Sequence, residues 1–110
     1  MAEIIKDCTE KYQLVFSDNY IAYQETTKKG LFSKERVITA EARIPYSNVA
    51  YIEFNKNGGG TGFCRQLEVV IGLKVPQREF ASSTVSVGFD GCYMFNEIQA
   101  AENLVNSKIR

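Results

Sequence analysis

The residues most suggestive of chemistry form a glycine-rich stretch, KNGGGTGF, which runs from Lys56 to Phe63. Loops of this kind often wrap around phosphate groups. A phosphate-binding P-loop, however, requires GxxxxGK[ST] between a strand and a helix, and here no Lys-Ser or Lys-Thr follows the glycines. The spacing also differs from the dinucleotide-binding fingerprint. The pattern therefore favours a hairpin connection in which glycine permits positive φ.

A second group of candidate residues is cationic and surrounds the turn GLFS: Lys28, Lys29, Lys34 and Arg36. Several cations on one hairpin could make charge-assisted hydrogen bonds to phosphate oxygens. Lysines also discourage edge-to-edge pairing of exposed strands, so their presence here does not require a ligand. In addition, Glu35 interrupts the group of cations. An anion site for a lipid headgroup or a small phosphorylated ligand is the alternative to this simpler interpretation.

The turn itself carries two adjacent apolar residues, Leu31 and Phe32. Apolar residues at a hairpin tip either fold back onto the core or stand out as a contact patch. We expect them to fold back. If they protrude instead, they offer a surface for self-association or for dipping into a membrane.

Residues for catalysis or metal binding are sparse. The three cysteines are odd in number and far apart, so we expect reduced thiols at Cys8, Cys64 and Cys92. Because the chain has no histidine, a thiol lacks its usual activating base and zinc lacks a common ligand. The candidate acid–base carboxylates are scattered through strands and unpaired: Glu41, Glu53 and Glu68. The sequence predicts no catalytic residue, no metal and no cofactor.

Length and composition set the broad class. The chain has 110 residues, of which 45% are hydrophobic and 24% charged, as is usual for one globular core. Thirteen basic and thirteen acidic side chains cancel, so the basic field needed for bulk nucleic-acid binding is absent. The first residues, MAEIIKDCTEKYQ, lack the basic start and apolar stretch typical of a signal peptide, and no run of roughly 20 apolar residues occurs. We expect a single domain over residues 1–110, in the cytoplasm, without a transmembrane segment or a nucleic-acid partner.

The apolar residues between Tyr12 and Phe89 mostly alternate, which predicts a meander of antiparallel strands. Four of these strands are YQLVF, YIAYQE, SKERVITAEARI and CRQLEVVIGLKV, and a last one lies in EFASSTVSVGF. Between the third and fourth comes NVAYIEF, whose alternation favours one core face over the other: Ala50, Ile52 and Phe54 rather than Val49, Tyr51 and Glu53.

After Asp90 the period changes to that of a helix. One stripe collects the apolar residues Phe95, Ile98, Ala101, Val105 and Ile109. This spacing predicts an amphipathic helix from about Met94 to Lys108, which caps the strands because no other segment offers a lid. Residues 1–10 are expected to be an N-terminal extension.

Two segments, Gly30-Leu31-Phe32 and the stretch IPYSNVAYIE from Ile44 to Glu53, resemble motifs of the bacterial pleckstrin-homology-like (PH-like) domains. The terminal FNEIQAAENLVNSKI is similar to the family's closing helix. The resemblance covers almost the whole chain from Tyr12 onward. It implies a PH-like split barrel of two near-orthogonal sheets, with six or seven antiparallel strands capped by one C-terminal α-helix.

In its relatives this scaffold serves binding and self-association, and sometimes the recognition of lipid headgroups. Lys29, Lys34 and Arg36 also match, as a string, the K-x(n)-[KR]-x-R pattern of phosphoinositide-binding PH domains. We therefore expect a non-catalytic module that binds a protein or assembles with itself, because open barrels have strand edges that another chain can extend. The alternative is an anionic lipid headgroup or a phosphorylated ligand bound by the hairpin from Lys28 to Arg36, whose affinity would fall steeply with salt.

Overall fold

The computed structural model describes residues 3–7, 10–57, 66–80, 82–90 and 95–109. The glycines of the KNGGGTGF stretch, the three cysteines and Met94 lie outside these residues. Within them the strands are β1 (Glu3–Lys6), β2 (Tyr12–Phe16), β3 (Tyr20–Lys28), β4 (Arg36–Pro45), β5 (Val49–Asn57), β6 (Gln66–Leu73) and β7 (Thr84–Asp90). A short 3-10 helix, Tyr46–Asn48, joins β4 to β5, and helix α1 spans Phe95–Ile109.

The strands form two antiparallel sheets. One has the order β1-β2-β3-β4 and the other the order β5-β6-β7. This arrangement confirms the expected mainly β architecture with one C-terminal helix. In the described parts of the chain no ladder of hydrogen bonds joins the sheets, so they do not close into a barrel.

The core-facing residues of the first sheet follow from strict alternation and from register. Leu14 and Phe16 on β2 are buried, and Ile21 of β3 lies opposite Phe16. Ile44 of β4 lies opposite Ile21 and is buried as well. Each of these strands therefore supplies large apolar residues to the same face, where cross-strand contacts stabilise the sheet.

The segment expected to be an N-terminal extension contains a strand. Residues Glu3–Lys6 form β1, which pairs with β2 at the edge of the first sheet. Ile5 lies opposite Leu14 and is fully buried. Four residues are too few to show a period, so only the pairing with β2 identifies this strand.

The expected core face of β5 is only half right. Ile52 and Phe54 pack against the core, as alternation predicts, but Val49 is buried and Ala50 is exposed. The cause is a register shift between Val49 and Tyr51 in the pairing with β6. A bulge adds one residue to a strand and so reverses the face on which the preceding side chains lie.

Helix α1 ends at Ile109, one residue beyond the predicted end at Lys108, and the predicted first residue, Met94, lies outside the described residues. The helix packs against β1, β2, β5 and the 3-10 helix. Three residues of the predicted stripe, Ile98, Ala101 and Val105, have no solvent exposure, and they join a single cluster with the inner faces of both sheets. Burial of this stripe confirms that α1 covers the core.

Candidate functional site: the β3–β4 hairpin and the groove beside it

The β3–β4 hairpin extends beyond the core. From residue 25 to residue 43 no residue of the chain is buried. At the end of the hairpin, Leu31 is 86% exposed and Phe32 is 96% exposed. We call these two residues the apolar tip. The expectation that they fold back is wrong, because the strands beneath them offer no buried apolar surface on which they could pack.

A bulge marks where the hairpin leaves the core. Glu25 pairs with Ala40, but the next residue, Thr26, pairs with Ile38. Thr39 is the extra residue, and its hydroxyl donates a hydrogen bond to the Glu25 carbonyl oxygen at 3.2 Å. Bulges bend a strand and increase its twist, so this position sets the direction of the outer hairpin, which we define as residues 26–38.

Exposed apolar side chains are concentrated on this outer hairpin. In the described residues, the large exposed hydrophobic side chains are Ile4, Leu31, Phe32, Val37, Ile38, Tyr51 and Val75. Four of these seven lie between residues 31 and 38. Single exposed apolar residues are normal on a protein surface, but a cluster indicates a contact surface.

The four cations predicted for an anion site do not form one site. Lys29 makes an exposed ion pair with Glu35, with the nitrogen and oxygen 3.6 Å apart. Arg36 donates two hydrogen bonds to Thr26, one to its hydroxyl at 3.0 Å and one to its carbonyl oxygen at 3.2 Å. A guanidinium group has five N–H donors, so three of the Arg36 donors stay available for a ligand.

Arg36 lies between two open cavities on the outer hairpin. The first, of about 550 Å³, is lined by Lys28 together with Lys11. The second, of about 380 Å³, is lined by Lys34 and Lys6; we call it the basic pocket. Lys29 lines neither cavity.

The sequence prediction missed Lys6 and Lys11. Lys6 belongs to the segment 1–10 that was expected to be an extension, and Lys11 directly follows it. Only strand pairing brings these residues alongside the outer hairpin. The basic pocket also contains the acidic residue Glu10, which reduces its attraction for an anion.

A third cavity, a groove of about 530 Å³, separates the free edge of β4 from the free edge of β7; we call it the intersheet groove. Its apolar lining residues are Tyr12, Tyr23, Ala40, Ala42, Phe80, Val85 and Val87. Its acidic lining residues are Glu25, Glu41 and Glu79. Among the residues that the structure describes, no Lys or Arg lines it, so this lining combines an apolar surface with negative charge.

Tyr12 lines the intersheet groove and connects the two sheets. Its hydroxyl lies 2.5 Å from the Gly88 carbonyl oxygen of β7 and 3.1 Å from Oδ1 of Asp7. Its ring centroid lies 5.7 Å from that of Phe89 and 6.2 Å from that of Tyr23. Tyr12 therefore sets the spacing between the sheets where no strand pairing does so.

A ladder of polar side chains crosses the outer face of the first sheet. Gln13 donates to Gln24 at 2.8 Å, and Gln24 donates to the Glu41 carboxylate at 2.5 Å. Arg43 completes the ladder with a 2.6 Å hydrogen bond from Nε to the second Glu41 oxygen. The hydrogen bond from Gln24, and after it the bond from Arg43, lowers the pKa of Glu41. The ladder thus holds the Glu41 side chain on the outer face.

Tyr46 occupies the junction of β4 and β5 and is buried. Its hydroxyl donates a 2.7 Å hydrogen bond to the Ser17 carbonyl oxygen. Burial, with a smaller contribution from the negative charge of Asp18, raises the pKa of Tyr46 to about 12. The hydrogen bond joins the β4–β5 junction to the turn between β2 and β3.

The other carboxylates considered for acid–base chemistry are also separate from one another. Glu53 and Glu68 are exposed, and Glu68 accepts a hydrogen bond from the Ser86 hydroxyl at 3.1 Å. Among the residues with described positions, no three His, Cys, Asp or Glu side chains come together as metal ligands. In the same part of the chain, no helix has the length and apolar character needed to span a bilayer.

Comparison of this chain with models of known protein families, with curated proteins and with solved structures produced no match. The geometry of the hairpin and the groove is therefore the basis for any functional conclusion.

Proposed function

We propose that this chain is a non-catalytic protein-binding module, built on a PH-like split barrel, whose contact surface is the apolar tip of the β3–β4 hairpin. One observation carries the proposal: Leu31 and Phe32, adjacent in sequence, expose 86% and 96% of their surfaces. The order of four strands, three strands and a C-terminal helix supports the PH-like part of the proposal.

The folded chain would be more stable if these two side chains were buried. Each fully exposed Leu or Phe forgoes about 1.5–3 kcal/mol of stabilisation that burial would provide. Large apolar side chains at the centre of an interface are common anchors for binding. The tip is also well placed for contact, because the outer hairpin holds it away from the two sheets and leaves it accessible from several directions.

A photo-reactive residue at the tip tests this proposal. Replacing Phe32 with p-benzoylphenylalanine in the full chain, expressed in its own cells, should give protein adducts on irradiation. Val75 is the matched control position, since it is 64% exposed but lies in the connection between β6 and β7. Leu31→Asp beside the probe should reduce the adducts. Equal labelling from both positions, or no adduct at Phe32, would contradict the proposal.

A second candidate function is binding of an anionic lipid headgroup or a small phosphorylated ligand. The observation that favours it is the basic pocket, where Lys6, Lys34 and Arg36 line about 380 Å³ beside the outer hairpin. Three cations within one small cavity can make several charge-assisted hydrogen bonds to a phosphate group. In this function the apolar tip would enter the membrane while the pocket holds the headgroup.

Titration with vesicles containing anionic lipid, and separately with inositol phosphate, tests the second candidate. Lys6→Ala and Lys34→Ala should each weaken binding, and the affinity of the parent should fall as salt increases. Lys74→Ala is the control, because Lys74 is exposed and lines neither cavity of the outer hairpin. If the Lys6 and Lys34 variants bind as well as the Lys74 variant, the pocket is not an anion site.

A further inference from the structure

The free edge of β4 has its main-chain groups directed away from the protein. Lys29 N–H donates to the Glu35 carbonyl oxygen at 3.0 Å, so Glu35 faces β3. The N–H and C=O of one strand residue point to the same side, and successive residues alternate. Arg36 and Ile38 therefore direct their main-chain groups outward, while Val37 faces β3.

A second hydrogen bond supports this assignment independently. Thr26 N–H donates to the Lys11 carbonyl oxygen at 2.8 Å, so Thr26 faces away from β4. Its partner across the ladder is Ile38, which consequently faces away from β3. The side chains here are also open to solvent, because Val37 is 40% exposed and Ile38 is 55% exposed.

An exposed strand edge with apolar side chains is a template for pairing with another strand. We propose that two copies of this chain pair antiparallel along β4, about a two-fold axis at Val37. This inference rests on the proposed function, since it identifies the protein partner as a second copy. In this register Arg36 of one copy lies opposite Ile38 of the other, and their outward main-chain groups exchange hydrogen bonds. The two Val37 side chains form the central pair.

The same register brings the apolar tip of each copy to the intersheet groove of the other. The tip lies a few residues before Val37, and Ala40 and Ala42 of the groove lie a few residues after it. In an antiparallel pair centred on Val37, these segments are neighbours. Leu31 and Phe32 then cover the apolar lining of the groove. The two-fold axis repeats this contact, so the tip and the groove of each copy are both buried.

Charge favours a second copy as the occupant of the groove. The tip is flanked by Lys29 and Lys34, whereas the groove is lined by the acidic residues Glu25 and Glu79. Glu41 also lines the groove, but its carboxylate is held on the outer face by Gln24 and Arg43. Complementary charges around an apolar contact select the partner and its orientation. Because one chain carries both the basic tip and the acidic groove, two identical copies satisfy each other reciprocally.

A cysteine at the proposed axis tests the register. In the full chain, Val37→Cys should form a disulfide-linked dimer under mild oxidation, because residues opposite each other in a non-hydrogen-bonded pair have Cα atoms about 4.5 Å apart. The parent chain and a Val75→Cys variant control for the native cysteines. Leu31→Asp added to Val37→Cys should reduce the disulfide dimer several-fold. A dimer in solution without this disulfide would overturn the proposed register.

Complementation between two variants tests the contact between tip and groove. Leu31→Asp with Phe32→Asp disables the tip, and Ala40→Arg obstructs the groove at an exposed position. Each variant alone should sediment as a monomer, and a mixture of the two should regain part of the dimer, since one intact tip and one intact groove remain. Ala50→Arg, on an exposed alanine of β5, should leave the dimer unchanged. Thermal melts establish that each variant is folded.

The outcomes separate this inference from the proposed function. A parent chain that is monomeric at every concentration, but whose Phe32 probe still labels other proteins, overturns the second copy as partner and leaves the protein-binding function standing. A Phe32 probe that labels no protein contradicts the proposed function itself. Recovery of the dimer in the mixture, together with the Val37→Cys disulfide, supports both.

Discussion

The apolar stripe of α1 and the apolar tip of the β3–β4 hairpin contain similar side chains in opposite environments. Ile98, Ala101 and Val105 have no exposure, whereas Leu31 and Phe32 are almost entirely exposed. The helix places its apolar side chains over the inner faces of both sheets. The apolar side chains of the hairpin tip lie beyond the end of the core. Residue type alone therefore does not show whether an apolar surface stabilises the fold or is available for binding. The elements packed around that surface decide it.

The largest expected effect on the free energy of unfolding comes from a substitution in α1. Ile98→Ala should lower the free energy of unfolding by about 2–5 kcal/mol, because it removes buried methyl groups and leaves a cavity. Leu31→Ala is the matched control, and it should change the same quantity by no more than about 0.5 kcal/mol. Denaturant unfolding followed by circular dichroism measures both. Similar losses in the two variants would show that the tip is part of the core.

A smaller effect is expected at Tyr46, which links the core to the junction between the sheets. Tyr46→Phe should lower the free energy of unfolding by about 1 kcal/mol near pH 7, since the hydrogen bond to the Ser17 carbonyl oxygen is lost. Denaturant melts at neutral pH measure this loss.

The same residue makes stability sensitive to alkaline pH. The pKa of an unfolded tyrosine is about 10, and burial raises the pKa of Tyr46 to about 12 in the folded chain. Between these values the unfolded state releases a proton that the folded state keeps, so the free energy of unfolding falls as pH rises. Tyr46→Phe should make this decline shallower. An unchanged decline would show that other groups cause it.

The effect expected from Glu41 is smaller still, because this carboxylate lies on the exposed outer face of the hairpin. Its pKa is lowered in the folded chain, so its contribution to stability is present above the unfolded pKa and is lost as pH falls through the folded pKa. Gln24→Ala removes the hydrogen bond that lowers the pKa of Glu41 most. It should therefore raise this pKa more than Arg43→Ala does. An NMR titration of the carboxylate measures both, and the reverse order would contradict the ladder.

The smallest effect on stability is expected at the tip, where the effect on association is largest. Phe32→Asp should leave the free energy of unfolding within about 0.5 kcal/mol of the parent, because the side chain makes no core contact. The same variant should weaken self-association in sedimentation experiments. If Phe32→Asp lowers stability at concentrations where the parent is a monomer, the side chain folds back in solution and the comparison fails.

Much of the fold was predictable because alternation and helical period are local patterns. The strand with Val85, Val87 and Phe89 and the helix with Ile98 and Val105 follow from residue spacing, and their burial confirms the prediction. Expectations failed where one residue changed the register or where a segment was too short to show a period. The bulge in β5 exchanged the roles of Val49 and Ala50, and β1 was recognisable only by its pairing.

The candidate site was predictable only in part. The sequence drew attention to Lys28, Lys34, Arg36 and the apolar tip, and the structure brings Lys34 and Arg36 to one pocket with Lys6. The sequence could not show that Lys29 differs from the neighbouring cations, because its ion pair with Glu35 forms only when the hairpin brings the two residues together. The intersheet groove was not predictable, since its walls come from strands distant in the chain.

The sequence by itself determined the kind of each longer element, the strands from β2 to β7 and helix α1, because an apolar period of two or of 3.6 residues shows how a segment presents one face to the core. Only the tertiary structure decided which apolar residues remain uncovered. That outcome depends on where the core ends beneath the β3–β4 hairpin, and on a one-residue bulge at Thr39 that directs the outer hairpin away from it. Burial depends on neighbours, and neighbours are set by the packing of distant segments.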